Sequence, residues 1–358
     1  MSDRGGGKAL SVLVFRVGQL GDTLLSLPAI YAIRQRHPDH RVVLLTERQP
    51  LGSGYVSSWD VLGPTAWFDD VVFYTPASSA WKKLSTMLAL AGKIRELGPE
   101  LVYDLAPERT LFQSRRDRFF FQRLAGVKEY RGGGLLLKPT RNVRGVLPRL
   151  EPEWKRLLRV IGADSEAGDF RLSIPEAERR RAQELLRHEG LDGTKRLLAV
   201  GSGSKMPAKR WAQARFRELG ERLLAADPDL YLLVIGGKEE AAIGDDLCTA
   251  WGPRSRNVAG RLSVYGSAAV LQGCVAYVGN DTGAMHLAAM AGIPCVSLFS
   301  ARDCPGQWDP YGQGHVILRH EIGCAGCLLT VCPINNKCLD LISVDDAERA
   351  VRSVIAAR

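Results

Sequence analysis

Four short segments of this chain place glycines, hydroxyls and charged side chains directly after runs of apolar residues. The first is Arg16-Val17-Gly18-Gln19-Leu20-Gly21-Asp22-Thr23. Its two glycines let a backbone approach a ligand, and Asp22 stands where a helix begins. A carboxylate at that point suits a general base in a cleft, but it equally suits a plain helix cap. The register is G-x-x-G-D, which is not the dinucleotide fingerprint. The second segment, Val278 to Ala289, carries Asp281, Thr282, Gly283 and His286. Thr282 and the N–H groups of Gly283 and Ala284 open a helix, an end that holds phosphates. Asp281 could cap that helix or bind a sugar hydroxyl, and His286 lies one turn in. The third segment, Gly201 to Trp211, offers Ser202, Ser204, Lys205 and Lys209, the hydroxyls, amides and ammonium that a diphosphate requires. No G-K-[ST] follows its glycines, so ATP hydrolysis has no support. The fourth is Gly236-Gly237-Lys238-Glu239-Glu240, whose acid could accept hydrogen bonds from ribose or simply favour a first helical turn.

These segments need a scaffold that ends strands beside one another. Leu10–Val17, Arg41–Thr46, Val71–Tyr74 and Glu100–Leu105 read as short apolar strands, with helices over Asp22–Arg36 and Trp81–Leu97. Continuous apolar strands alternating with helices indicate a parallel sheet covered on both faces. After a linker at Gly162–Pro175 the pattern restarts with Arg196–Val200, Tyr231–Ile235, Val275–Val278 and Pro294–Phe299. Ser343 is the expected N-cap of a closing helix, with Asp346 three residues on. The fold class is therefore α/β, two doubly wound Rossmann-like domains facing across a cleft. The expected divisions are 1–165, 176–342 and a closing helix at 343–358. Ligands in such folds sit beyond the carboxyl ends of the strands, where all four segments fall.

Composition narrows the class. The chain has 358 residues, enough for about two domains at ~150 residues each. With 46% hydrophobic and 24% charged residues it is not a disordered chain. Its longest apolar stretch, Met285–Ser300, is broken by His286, Gly292 and Pro294, so no transmembrane span is expected. No apolar signal-peptide core follows Met1, which predicts a cytoplasmic protein whose cysteines are thiols or metal ligands before disulfides. The net charge of +9 is concentrated: eleven basic and two acidic residues lie between Arg109 and Arg149. A solvated basic face is the plain explanation. The alternative is a negatively charged partner, with Arg115, Arg116, Arg118, Lys128, Arg131, Arg141 and Arg144 as the candidate contacts.

Together the four segments resemble glycosyltransferase family 9, the heptosyltransferases of the lipopolysaccharide inner core, over nearly the whole chain. The resemblance rests on FRVGQLGDTLLSLPAI, KRW after a Gly/Ser loop, GGKEE and GNDTGAMHLAAMAGIP. It implies a GT-B fold and inverting, metal-independent transfer from a nucleotide-sugar, with no cofactor for catalysis. It also implies Asp22 as general base and Lys209 and Ser204 at the donor phosphate. Glu240 would bind the ribose, Asp281, Thr282, Gly283 and His286 sugar and phosphate, and Leu262 the adenine side. Gly18, Gln19, Gly21 and Lys205 complete the donor set, although Gly18-Gln19 stand where two small hydroxyl residues are usual. The implied donor is ADP-heptose. The implied acceptor is an anionic glycolipid or glycan reached at the inner-membrane surface, where the chain would associate peripherally. Two other readings stay open at this point. One is a nucleotide-sugar epimerase on the same frame; the other is a non-catalytic nucleic-acid binder, which lacks interleaved aromatic platforms beyond Phe119–Phe121.

Cys324, Cys327, Cys332 and Cys338 form a C-x2-C-x4-C-x5-C run. Four thiols in fifteen residues are compact enough for a structural zinc or iron site, and equally consistent with plain reduced thiols.

Overall fold

The computed structural model describes residues 10–48, 56–75, 80–135, 139–143, 145–163, 170–191 and 193–357. The chain divides into two compact units. One comprises Met1–Lys138 with Trp154–Gly168, the other Pro139–Glu153 with Asp169–Arg358. The short segment 139–153 thus belongs to the second unit although it lies within the first half of the sequence.

The first unit is built on five parallel strands: β1 Ser11–Phe15, β2 Arg41–Glu47, β3 Asp70–Tyr74, β4 Pro99–Asp104 and β5 Glu129–Gly132. Their spatial order is β3-β2-β1-β4-β5. Helices α1 Leu20–Arg36, α2 Ser58–Leu62, α3 Ala80–Leu97, α4 Leu111–Phe119 and α5 Glu153–Val160 accompany them. A π-helical turn, Phe120–Leu124, continues α4. β1 is buried along its whole length, which explains its unbroken apolar sequence. Leu13, Phe15, Val43, Val102 and Phe121 share one core.

The second unit repeats the plan with β6 Arg196–Gly201, β7 Leu230–Val234, β8 Ser255–Asn257, β9 Cys274–Asn280, β10 Cys295–Phe299 and β11 Val316–Arg319. The order is β11-β10-β9-β6-β7-β8, and the ladders are parallel. Its helices are α6 Glu176–His188, α7 Gln213–Ala226, α8 Ala241–Trp251, α9 Val264–Gln272, α10 Gly283–Met290, α11 Lys337–Asp340 and α12 Val344–Ala356. Ser343 caps α12 as expected: its hydroxyl accepts the Asp346 N–H, and the Asp346 carboxylate accepts the Ser343 N–H. Val344, Ala347, Val351 and Val354, about one turn apart, enter the core against Val278 and Leu298. Each fully buried valine contributes roughly 1.5–3 kcal/mol of transfer free energy.

In both sheets the chain winds outward in one direction and then the other. The switch falls between β1 and β4 in the first unit and between β6 and β9 in the second. Loops leaving the carboxyl ends of such neighbouring strands diverge and leave room for a ligand.

Candidate active site

In the second unit, β6 delivers the Gly201–Lys205 loop and its neighbour β9 delivers Asn280-Asp281-Thr282. Asn280 joins them. Its side-chain amide donates to the carbonyls of Ser202 at 2.8 Å and Gly203 at 3.2 Å, while its oxygen accepts the Trp211 N–H at 3.0 Å. Lys209 is thereby held over the end of β9. Its ammonium lies 2.6 Å from Asp281 Oδ2 and 3.3 Å from Asp303 Oδ2. Asp303 in turn takes both oxygens' worth of hydrogen bonds from Arg302, at 2.7 and 2.8 Å. Burial alone would lower the Lys209 pKa, but Asp281 and Asp303 hold it above the ordinary lysine value. The cation is therefore locked in its charged form beside the N-terminus of α10, whose first N–H groups have no intrahelical acceptor.

Glu240 reaches the same loop from the turn after β7. One oxygen accepts the Gly237 N–H at 2.9 Å. Glycines flank it closely: a Cβ on Gly203 would lie 2.0 Å from Oε1 and one on Gly236 would lie 2.2 Å from Oε2, so any side chain at either position displaces the Glu240 carboxylate. Burial raises the Glu240 pKa, opposed by the Gly237 N–H. The loop bearing Leu262 abuts this turn through the Gly260 N–H and the Gly236 carbonyl, 3.0 Å apart. Ser204 is buried and accepts the Met206 N–H at 3.2 Å. Lys205 stands 3.9 Å from Glu239. His286 is buried within the first turn of α10, and its N–H donates to the Thr282 carbonyl.

In the first unit, Asp22 sits in the first turn of α1 and accepts the Gln19 N–H at 2.9 Å. Asp22 as a whole remains partly exposed. Gly18 has φ +137°, and a Cβ there would stand 2.9 Å from the Asp22 Cβ. A hydroxyl residue does not fit this position without rearrangement. Beneath the turn, the wholly buried Arg16 donates to the Leu105 carbonyl at the end of β4.

A family model for glycosyltransferase family 9 (heptosyltransferase) matches residues 153–338, just over half the chain. The chain belongs to glycosyltransferase family 9.

Among curated relatives, lipopolysaccharide heptosyltransferase 1 of Pseudomonas aeruginosa is 36% identical over 130 residues. That alignment covers 36% of this chain and 36% of the relative, so sequence similarity spans about a third of the relative's length. Solved structures match over far more. A family 9 glycosyl transferase from Veillonella parvula superposes with TM-score 0.74 at 19% identity, covering 98% of each chain. ADP-heptose lps heptosyltransferase II of E. coli gives 0.67 at 16% identity, covering 97% of this chain and 99% of that one. At these identities the likeness concerns the fold, and the fold is GT-B, with two parallel-sheet α/β units.

Of the residues that the family motifs pick out, Ser204, Lys209, Glu240, Asp281, Thr282, Gly283 and His286 gather at the β6–β9 switch of one sheet, with the Leu262 loop beside them. Gly18, Gln19, Gly21 and Asp22 gather at the end of β1 in the other unit. The basic residues do not form one group. Arg115, Arg116 and Arg118 ride on α4, Lys128 pairs with Glu100 and Arg131 with Glu129 around β5. Arg141 belongs to the second unit, where it donates to the carbonyls of Gly145, Gly323 and Ala325. Arg144 lies outside the described residues.

The cysteine run requires a correction. Among the described residues no three or more His, Cys, Asp or Glu side chains are placed to hold a metal ion. Cys324 is exposed and Cys338 is buried, its sulfur accepting the Ala301 N–H. The four-thiol site that the spacing suggested is not assembled. The segment serves instead as a brace: the Thr330 carbonyl accepts the Ala208 N–H at 3.0 Å. Asn336 donates to the carbonyls of Pro207 and Arg210 at 2.8 and 3.1 Å. Arg302 ties in Leu328 and Leu329 in the same way. Asn280, Arg302, Asp303 and Asn336 are thus working parts that motif spacing missed. They are polar residues that meet only because separate loops fold onto one another.

Proposed function

We propose that this family 9 chain is an inverting glycosyltransferase that moves a heptose from ADP-heptose to a hydroxyl of an anionic glycolipid or glycan of the lipopolysaccharide core. The observation that carries the reading is the Lys209 ammonium, held charged by Asp281 and Asp303 at the N-terminus of α10. As the bond from the anomeric carbon to the leaving phosphate oxygen breaks, negative charge grows on the diphosphate. A fixed cation and unpaired helix N–H groups stabilise that charge without reorganising. Because protein groups supply this positive charge, transfer runs without a divalent cation. Ser204 and Thr282 donate to phosphate oxygens, Glu240 accepts from the ribose hydroxyls, Leu262 borders the adenine and His286 backs the sugar. Lys205, Gly18, Gln19 and Gly21 shape the remaining contacts.

Asp22 takes the acceptor proton as the hydroxyl oxygen attacks the anomeric carbon from the opposite face, which inverts its configuration. Arg115, Arg116, Arg118, Lys128, Arg131 and Arg141 supply positive charge for acceptor phosphates, and the enzyme works at the cytoplasmic membrane surface. The proposed association is peripheral; no described helix is long and apolar enough to cross a membrane. The names of the lipopolysaccharide heptosyltransferase relatives support the same donor and acceptor. Thermal-shift screening with ADP-, GDP-, UDP- and dTDP-sugars tests the donor: selective stabilisation by ADP-sugars is expected. Equal or greater stabilisation by another nucleotide, or transfer abolished by EDTA and restored by Mg²⁺, would overturn the reading.

A further inference from the structure

On α4 and its π-helical extension, Phe112, Arg116, Phe119 and Arg123 recur at spacings of three to four residues along one stripe, with Leu111 and Arg115 beside it. All six are exposed, and Phe112 is 78% exposed. The segment is firmly held from the other side. Phe121 is buried against Phe15, and Thr110 caps the helix through reciprocal bonds with Gln113. Between Arg109 and Arg123 five arginines face a single acid, Asp117, which is buried and pairs with Arg109 and Arg116. Solvent therefore meets aromatic rings interleaved with guanidinium groups on a capped helix: Arg116 shares the one acid with Arg109, and Arg115 and Arg123 have no acidic partner among the described residues.

We propose that this stripe of α4 docks the protein on an anionic lipid bilayer. Phe112, Phe119 and Leu111 would enter the headgroup–acyl boundary while the arginines meet lipid phosphates. Aromatic side chains are favoured at that boundary, and guanidinium groups beside them answer its negative potential. Duplex nucleic acid, bound through its phosphates, would leave the exposed Leu111, Phe112 and Phe119 unused, and a single strand stacking its bases on the rings would still leave Leu111 unused. The inference rests on the proposed reading only in placing the acceptor in a membrane.

Flotation of the full-length protein with vesicles tests it, using phosphatidylcholine alone or with about a third phosphatidylglycerol. The wild type should bind the anionic vesicles roughly tenfold better than the neutral ones, and raised salt should weaken binding. F112S/F119S and, separately, R123E should each lose binding by roughly tenfold or more. Unchanged melting temperatures would show both variants folded. Equal binding to neutral vesicles, variants that float like wild type, or preference for single-stranded nucleic acid over vesicles would overturn the proposal. ADP-sugar binding, measured on the same samples, should be unaffected in both variants. Loss of vesicle binding with donor binding retained separates this surface from the donor site, and failure of donor binding alone counts against the enzymatic reading.

Discussion

The Lys209 ammonium and the Asp281 carboxylate meet at 2.6 Å with both side chains almost wholly buried. Removing one member leaves the other charged in a medium that solvates it poorly. Asp281→Asn should destabilise the protein by about 3–5 kcal/mol, the usual cost of breaking a buried pair, reduced to the extent that Asp303 takes over. Urea unfolding measures this, and a change below about 1 kcal/mol would count against a structural ion pair. The pH dependence has a definite sign. The folded state binds the Lys209 proton more tightly than the unfolded chain. Its contribution is therefore complete below the ordinary lysine value of 10.5 and is lost as pH rises through the higher folded value.

In its proposed role Glu240 accepts from the ribose hydroxyls more strongly as a carboxylate than as a neutral acid, and burial raises its pKa. Nucleotide binding should strengthen as pH rises from the ordinary glutamate value of 4.5 through the raised folded one. Titration calorimetry across that range checks the trend, and Glu240→Gln should flatten it. Gly203→Ala forces a methyl into the Glu240 carboxylate and should weaken nucleotide affinity at least ~10-fold, by the 1–3 kcal/mol cost of overpacking. Unchanged affinity in Gly203→Ala would mean that Glu240 is free to move away.

The cysteine segment braces the Lys209 loop through backbone carbonyls and Asn336, without its thiols acting together. Cys324→Ser, at an exposed position, should shift stability by no more than about 0.5 kcal/mol. Asn336→Ala removes two hydrogen bonds at a residue with φ +56° and should cost about 1–3 kcal/mol while weakening nucleotide binding. Chemical denaturation of the two variants side by side distinguishes the roles. A larger loss from Cys324→Ser than from Asn336→Ala would restore a shared thiol site.

The sequence disclosed what depends on local pattern. Apolar runs such as Leu197–Val200 read as buried parallel strands, and the Ser343–Asp346 capping box was visible from spacing. The loops that carry Asp22, Lys209, Glu240 and Asp281 were likewise marked by glycines after strands. What stayed hidden depends on which loops abut. Nothing local to Arg302-Asp303 announces a salt bridge to Lys209, because the pairing exists only when β9 and β10 lie side by side. The eleven clustered basic residues suggested one surface, yet the chain carries Arg141 into the second unit while α4 keeps Arg115, Arg116 and Arg118. The cysteine spacing misled for the same reason: compactness in sequence did not bring the four sulfurs together in space.

In the proposed mechanism Asp22 removes the acceptor proton while the second unit holds the donor. Single-turnover transfer by Asp22→Asn at saturating ADP-heptose tests it most directly, because substrate binding then drops out of the rate. Asparagine preserves the size of the side chain and an oxygen for the Gln19 N–H, so the α1 turn and donor affinity should survive. The rate should fall at least ~100-fold, the scale expected when a general base is lost. A rate within a few-fold of wild type would rule out Asp22 as the base and return it to the role of a helix cap.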